Sequence, residues 1–245
     1  MGTPSLGPAV SAPGAMCRLR PSPTAPAVRL DGLQARDGHA LDALVAQLPE
    51  PPWDVEVDAD DAELLALLGS RGFVEYARGA LYARSMDGFP ASHVTGIEVV
   101  PYDNAWSEAF TIAEADAMTG LAAFAELGSP SGYEWGAGQG SFHIARTTTG
   151  RLVGFAHADL PDGMIDWLGV IPSERNKGIG RRLVAALAQD VVKVRGTHLI
   201  AFAQDATGAG AFLARVGFQP RGRRVLVIHR PSSPTRDDVP VRSAR

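Results

Sequence analysis

The sequence predicts an α/β (α+β) protein whose core is a mixed sheet covered by helices, and three observations lead there. A gapless shift of 145 positions superimposes two stretches, laying Gly72-Phe73 on Gly217-Phe218, Asp60 on Asp205, Ala66 on Ala211, Leu68 on Leu213, Arg78 on Arg223 and Leu81 on Leu226. Between the copies, strand-length apolar runs alternate with segments of helical period. The composition is that of a globular chain, 45% hydrophobic and 20% charged, and 245 residues suffice for one full domain plus a fragment, or for two small domains.

The elements follow in order. Residues 1–27 are rich in Pro, Ala, Ser and Gly, with too little apolar periodicity to offset the entropy of ordering, and are expected to be a disordered tail, as are residues 231–245. Residues 28–90 carry the first copy, with a strand from Trp53 to Val57, a helix stopped at a glycine, and a strand from Gly79 to Arg84. Residues 94–230 carry the second, longer unit. Gly96 to Val100 is a strand, and Ala105 to Ala117 and Thr119 to Glu126 are helices. Ser141 to Arg146 and Leu152 to Ala158 form a hairpin around Thr149-Gly150, and Met164 to Val170 is a further strand. Gly180 to Val194 is an amphipathic helix with Val184, Leu187, Ala188, Val191 and Val194 on one stripe. His198 to Ala203, a helix ending at Gly217, and Arg224 to His229 complete the second copy.

Several function classes fall away on composition. The net charge of -4 supplies no basic field, so neither nucleic acid nor an anionic membrane is an expected partner. Cys17 is the only cysteine, which leaves no intrachain disulfide and no cysteine zinc site, and a reducing cytoplasm is the expected location. No apolar run approaches a membrane span, the start lacks a signal-peptide core, and Leu6 stands where a myristoylation motif wants Ser or Thr.

The chemistry concentrates between Asp166 and Arg181, where a strand, a tight loop and a helix start follow one another. Gly178 and Gly180 allow close backbone approach and positive φ, so successive NH groups can converge on an anion. The helix start adds its positive dipole end, and Lys177, Arg181 and Arg182 add local charge. A pyrophosphate is the natural guest. The loop lacks the Gly-Lys-Ser/Thr of a P-loop and has too few glycines for a dinucleotide fingerprint. The plain alternative is a Gly-rich turn before a surface helix.

Leu168-Gly169-Val170-Ile171-Pro172, followed by Arg175-Asn176-Lys177-Gly178-Ile179-Gly180 and an apolar helix, resembles the acetyl-CoA signature of the GNAT superfamily of N-acetyltransferases. The resemblance covers Val94 to Arg230 and includes the downstream Gly-Phe. It implies the GNAT fold, a mixed, mostly antiparallel sheet flanked by helices. The 28–90 stretch would then be a degenerate, partial GNAT-like unit without a phosphate loop, as in tandem members such as mycothiol synthases. The resemblance places Leu168, Gly169 and Val170 beside pantetheine, with the Val170 NH polarising the thioester carbonyl. Arg175, Asn176, Lys177, Gly178, Ile179, Gly180 and Arg181 would wrap the pyrophosphate. The implied reaction is direct attack of an amine on acetyl-CoA, with no metal and no covalent enzyme intermediate.

The chain departs from the family where a tyrosine usually protonates the leaving thiolate, since Leu213 stands there; the preceding asparagine is replaced by Asp205-Ala206. A thiol, at roughly pKa 8.5, can leave with help from water. Asp166, expected to share a strand face with residues 164, 168 and 170, is the candidate general base, raised in pKa by burial beside Trp167. His143 and His157 are alternatives, and Glu134, between Tyr133 and Trp135 in the variable loop, is expected to shape the acceptor pocket. The acceptor is an amine of a small molecule or peptide, and a homodimer is compatible with the sequence. The competing reading is a sensor or structural subunit that binds acetyl-CoA without transfer. A partner-binding module would instead expose Leu64, Leu65, Leu67 and Leu68.

Overall fold

The computed structural model describes residues 8–21, 28–87, 89, 94–119, 140–160, 162–205 and 207–230. The expected helix from Thr119 to Glu126, Glu134 and the 231–245 tail lie outside the described residues, save Thr119. No helix among the described residues is long and apolar enough to cross a membrane.

The strands are β1 (Ala9–Ala12), β2 (Ala15–Pro21), β3 (Val28–Ala35), β4 (Trp53–Asp58), β5 (Val74–Ser85), β6 (Ile97–Pro101), β7 (Gly140–Thr147), β8 (Leu152–Asp159), β9 (Met164–Val170), β10 (His198–Gln204) and β11 (Gln219–His229). The helices are α1 (Gly38–Val45), α2 (Ala62–Gly69), α3 (Ser107–Met118), α4 (Ile179–Lys193) and α5 (Ala209–Arg215). One sheet runs β1-β2-β3-β4-β11-β5-β10-β9-β8-β7-β6, and it is antiparallel except at β3/β4 and β9/β10.

This order reads the same from its middle outward: β4, β3, β2 and β1 on one side answer β10, β9, β8 and β7 on the other. The centre lies between β5 and β11, where Gly79 faces Arg224, its own counterpart 145 positions on. The pairs Arg78/Val225 and Ala80/Arg223 exchange under the same shift. Each half lends its last strand to the other, β11 lying between β4 and β5, and β5 between β10 and β11. Both repeat helices end at a left-handed glycine, Gly72 (φ 80°) and Gly217 (φ 91°). In each, the following phenylalanine NH bonds back to a helix carbonyl, Leu68 at 3.2 Å and Leu213 at 3.0 Å.

The first 27 residues require a correction. Residues 9–21 form the β1/β2 hairpin, which extends the sheet from β3 and is the counterpart of β7/β8. Small residues are enough here because a sheet edge and α1 supply the partners: Ala15 and Cys17 are buried in the same cluster as Leu30, Leu33, Ala40, Leu41 and Leu44. The turn is Pro13-Gly14, with Gly14 at φ 82°, as a Pro-Gly turn of type II requires. Residues 1–7 and 22–27 of this stretch lie outside the described residues.

In the second half, β9 spans the expected residues, and α4 starts one residue before the expected helix. Its stripe Val184, Leu187, Ala188 and Val191 is buried, whereas Val194, at the helix end, is 44% exposed. The two faces of this half differ. Gly154 approaches Leu183 and Ile179 of α4, while Phe155, the next residue, stacks edge-on against Phe110 of α3 at 5.1 Å. In the first half Leu68 is fully buried and Leu64, Leu65 and Leu67 pack against the β1–β4 cluster, so they are not a bare apolar patch.

Candidate functional site

β9 and β10 pair only at Met164/Ile200 and Ile165/Ala201, so the β10-facing edge of β9 from Trp167 to Val170 is open. The cause is local. Between His157/Trp167 and Ala158/Ile165 the β8/β9 register slips by one residue, leaving Asp166 as the extra residue of a bulge. A bulge bends its strand and increases its twist, which turns β9 away from β10. The resulting slot is bordered by the half-buried Leu168 and Val170. Gly169 faces the other way: a Cβ there would lie 2.4 Å from the Phe155 ring, so this glycine serves the core.

The slot leads to the loop. After a 3-10 turn at Pro172–Glu174, Asn176 (φ 64°) and Gly178 (φ 85°) are both left-handed. Alternating such residues with ordinary ones turns successive NH groups inward. Gly178 also gives α4 no side-chain cap, so the first-turn NH groups and the positive dipole end face outward. Ile179, 1% exposed, anchors the helix start.

The cations divide their work. Arg175 donates Nε to the Val170 carbonyl and Nη2 to that of Ala117, both at 3.0 Å, tying the loop to β9 and α3. Arg182 donates to the carbonyls of Val94 and Ile97. Lys177 (2.9 Å) and Arg151 (2.6 Å) bond Glu174 and hold its carboxyl below the usual range. Arg181 forms no ion pair among the described residues. Its charge, after burial, helps to hold the guanidinium of Arg84 below its ordinary pKa.

The equivalent place in the first half has the opposite charge. Asp37 caps α1 with its own carboxylate, accepting from the Ala40 NH at 2.9 Å, and Asp61 caps α2 through the Leu64 NH at 3.0 Å. Asp37, Asp61 and Glu63 line a cavity of about 400 Å³ between them. An anion would meet three carboxylates against one guanidinium, Arg36, which is already paired with Asp37 at 3.0 Å, and two filled caps.

Asp166 lies where the sequence places it along β9, but the bulge overturns the expected shared face. Its carboxylate turns to His157, Oδ2 lying 3.2 Å from Nδ1, with both side chains nearly buried at 5% and 6% exposed. His157 also meets the Phe142 ring edge-on, on the α3 side of the sheet. With Asp159 the pair brings three ligand-type atoms within 4.8 Å of one another. His143 is elsewhere: its Nε2 lies 2.7 Å from Asp190 on α4, which also accepts from Ser141 (2.6 Å) and Lys193 (2.7 Å). Partial burial opposes ionisation of Asp190, but these donors bring it down to about 2. His143 fastens α4 to β7.

Two residues escape sequence reading. Glu114 is fully buried among the residues of α3 that face the sheet, a carboxylate that helical pattern alone does not single out. Tyr82 of β5 carries its hydroxyl to within 2.8 Å of where a Cβ on Gly210 would stand, one helical turn before Leu213 on α5. Leu213 itself is 3% exposed and belongs to the core.

A family model for the acetyltransferase (GNAT) family matches residues 102–218. No curated protein sequence matches the chain. Among solved structures, a GCN5-related N-acetyltransferase from Kribbella flavida is similar over 94% of this chain and 92% of its own, with TM-score 0.61 and 19% identity. A Drosophila protein matches 90% of this chain and 75% of its own at TM-score 0.67 and 16% identity. A tandem GNAT protein from the clavulanic acid biosynthesis pathway matches 89% and 80% at TM-score 0.56 and 18% identity. These likenesses show the fold, with both halves of the sheet included, and the family model identifies residues 102–218 of the second half as a GNAT acetyltransferase domain.

Proposed function

We propose that the chain transfers an acetyl group from acetyl-CoA directly to an amine of a small molecule or peptide, binding the cofactor through its second half alone. The observation that carries this reading is the pairing of an open slot between β9 and β10 with an uncapped α4 start, while its counterpart in the first half, the start of α1, is filled by the Asp37 carboxylate. The first half then acts as a degenerate unit that completes the sheet. The tandem architecture of a structural neighbour supports this.

The main-chain groups of Leu168, Gly169 and Val170 would hold the pantetheine arm, with the Val170 NH donating to the thioester oxygen as negative charge develops there. The NH groups from Asn176 to Arg181 would hold the pyrophosphate. Bound acetyl-CoA supplies an activated acyl carbon. The His157/Asp166 pair takes the proton of the attacking amine, Asp166 fixing the imidazole and balancing its charge. The amine nitrogen bonds to the acyl carbon as the carbon–sulfur bond breaks. The Tyr82 hydroxyl is the chain's candidate for returning a proton to the departing thiolate.

Leu213 favours a second reading, in which the chain binds acetyl-CoA as a sensor. Calorimetry with acetyl-CoA, followed by thiol release across a panel of amines, separates the two. Binding with amine-dependent release supports transfer; binding without release for any amine supports the sensor; no binding defeats both.

A further inference from the structure

A cavity of about 500 Å³ opens where β5, β10 and β11 meet the turn after α4. Its floor is apolar, from Leu81, Ala83 and Ile200, and its rim carries Arg195, His198 and Arg221. The sheet register fixes where it lies. Ala83 is opposite Ile200, and Ile200 is opposite Met164, two residues before Asp166 on β9. The cavity thus lies past the paired end of β9 and β10, on strands that also flank the slot. It sits at the far end of α4 from the phosphate loop, about 22 Å away for a helix of this length, too remote to serve the pyrophosphate.

Two separate backbone irregularities bring arginines to this rim. Arg195 is left-handed (φ 63°) at the end of α4, a place usually given to glycine, although Gly196 stands next to it. Arg221 is the extra residue of a bulge in β11, between Pro220/Tyr82 and Gly222/Leu81, and bulges redirect side chains. Neither arginine forms an ion pair among the described residues. Asp162 is the one carboxylate among the described lining residues, against two guanidiniums and His198.

We propose that this cavity binds an anionic group of the acceptor, so that the substrate is a small amine bearing a carboxylate or phosphate. The inference rests on the acetyl-transfer reading for the amine's fate. Arginine pairs suit both anions, through bidentate charge-assisted hydrogen bonds. Arg221 lies on β11, three strands from β9 and so roughly 14 Å across the sheet, which calls for an acceptor whose amine and anion are separated by several bonds, as in an ω-amino acid or an amino-sugar phosphate. A polycationic amine would instead meet like charge.

The test uses full-length protein with acetyl-CoA and two pairs of amines differing in the anion: lysine against lysinamide, and glucosamine 6-phosphate against glucosamine. The anionic member of at least one pair should show kcat/KM at least tenfold higher, and the pair that responds distinguishes carboxylate from phosphate. The Arg195→Gln/Arg221→Gln double variant should erase that preference while acetyl-CoA affinity stays within twofold. A neutral preference, or one that survives the double variant, overturns the pocket. Absence of acetyl-CoA binding overturns acetyl transfer instead. Inorganic phosphate decides the pocket independently of turnover: the amide resonances of Thr197, His198 and Gly222 should shift in the wild type and stay still in the double variant. A wild type that shows no such shift refutes the proposal.

Discussion

Asp37 and Gly178 stand at equivalent places in the two halves, each just before the helix that follows the matched strands β3 and β9, and they settle the fate of those helix ends in opposite ways. Asp37 fills the end of α1 with its own carboxylate at 2.9 Å from the Ala40 NH, whereas Gly178, left-handed at φ 85°, supplies no side chain to α4. The start of α1 is closed by its own side chain, whereas the first NH groups of α4 meet no side-chain cap.

Removing residues 1–21 should destabilise the protein, since it uncovers the β3 edge and the cluster around Leu30, Leu33 and Leu41. Thermal denaturation should show a fall of several degrees or aggregation, and an unchanged melting curve would mean that the hairpin contributes nothing.

Asp166→Asn should lower kcat about 100- to 10,000-fold, the range for a positioned base, with acetyl-CoA affinity nearly unchanged. His157→Gln should give a loss of the same order, because the two act as one unit through their 3.2 Å contact. Steady-state kinetics and calorimetry check both. Treatment with EDTA should leave the wild-type rate intact; a rate restored only by added metal would recast His157, Asp159 and Asp166 as ligands.

Tyr82→Phe should slow turnover roughly tenfold or more if its hydroxyl protonates the thiolate. The loss should shrink for an acetyl thioester whose thiol is more acidic. An equal loss for both thioesters would make Tyr82 a packing residue against Gly210.

The Asp190 contact predicts an acid limit to stability. Its folded pKa, about 2, is depressed below the ordinary carboxylate value, so its contribution is complete above about pH 4 and is lost as pH falls toward 2. Asp190→Asn should therefore destabilise the protein at neutral pH and flatten the denaturation profile between pH 4 and 2. Parallel profiles for variant and wild type would contradict this.

Local signals carried the left-handed turn before α4. Gly178 had to be a flexible residue before an apolar helix, and β9 and α4 fall where periodicity puts them to within a residue. The hairpin was missed because average composition hides a two-residue turn signal at Pro13-Gly14 and ignores the partner edge that β3 supplies. Alternation failed at Asp166 because a bulge depends on the register with β8, which β9 alone does not encode. Tyr82 was invisible for a topological reason, since it reaches α5 from a strand that the first half lends to the second.

The central claim is that one anion-binding helix start, and not two, serves acetyl-CoA. Calorimetric titration of the wild type should give one site per chain, and Gly178→Asp should abolish it by adding both a self-capping carboxylate like that of Asp37 and strain at φ 85°. The Asp37→Gly variant should leave the single site and its affinity unchanged. Two sites in the wild type, or wild-type affinity in Gly178→Asp, would contradict the account.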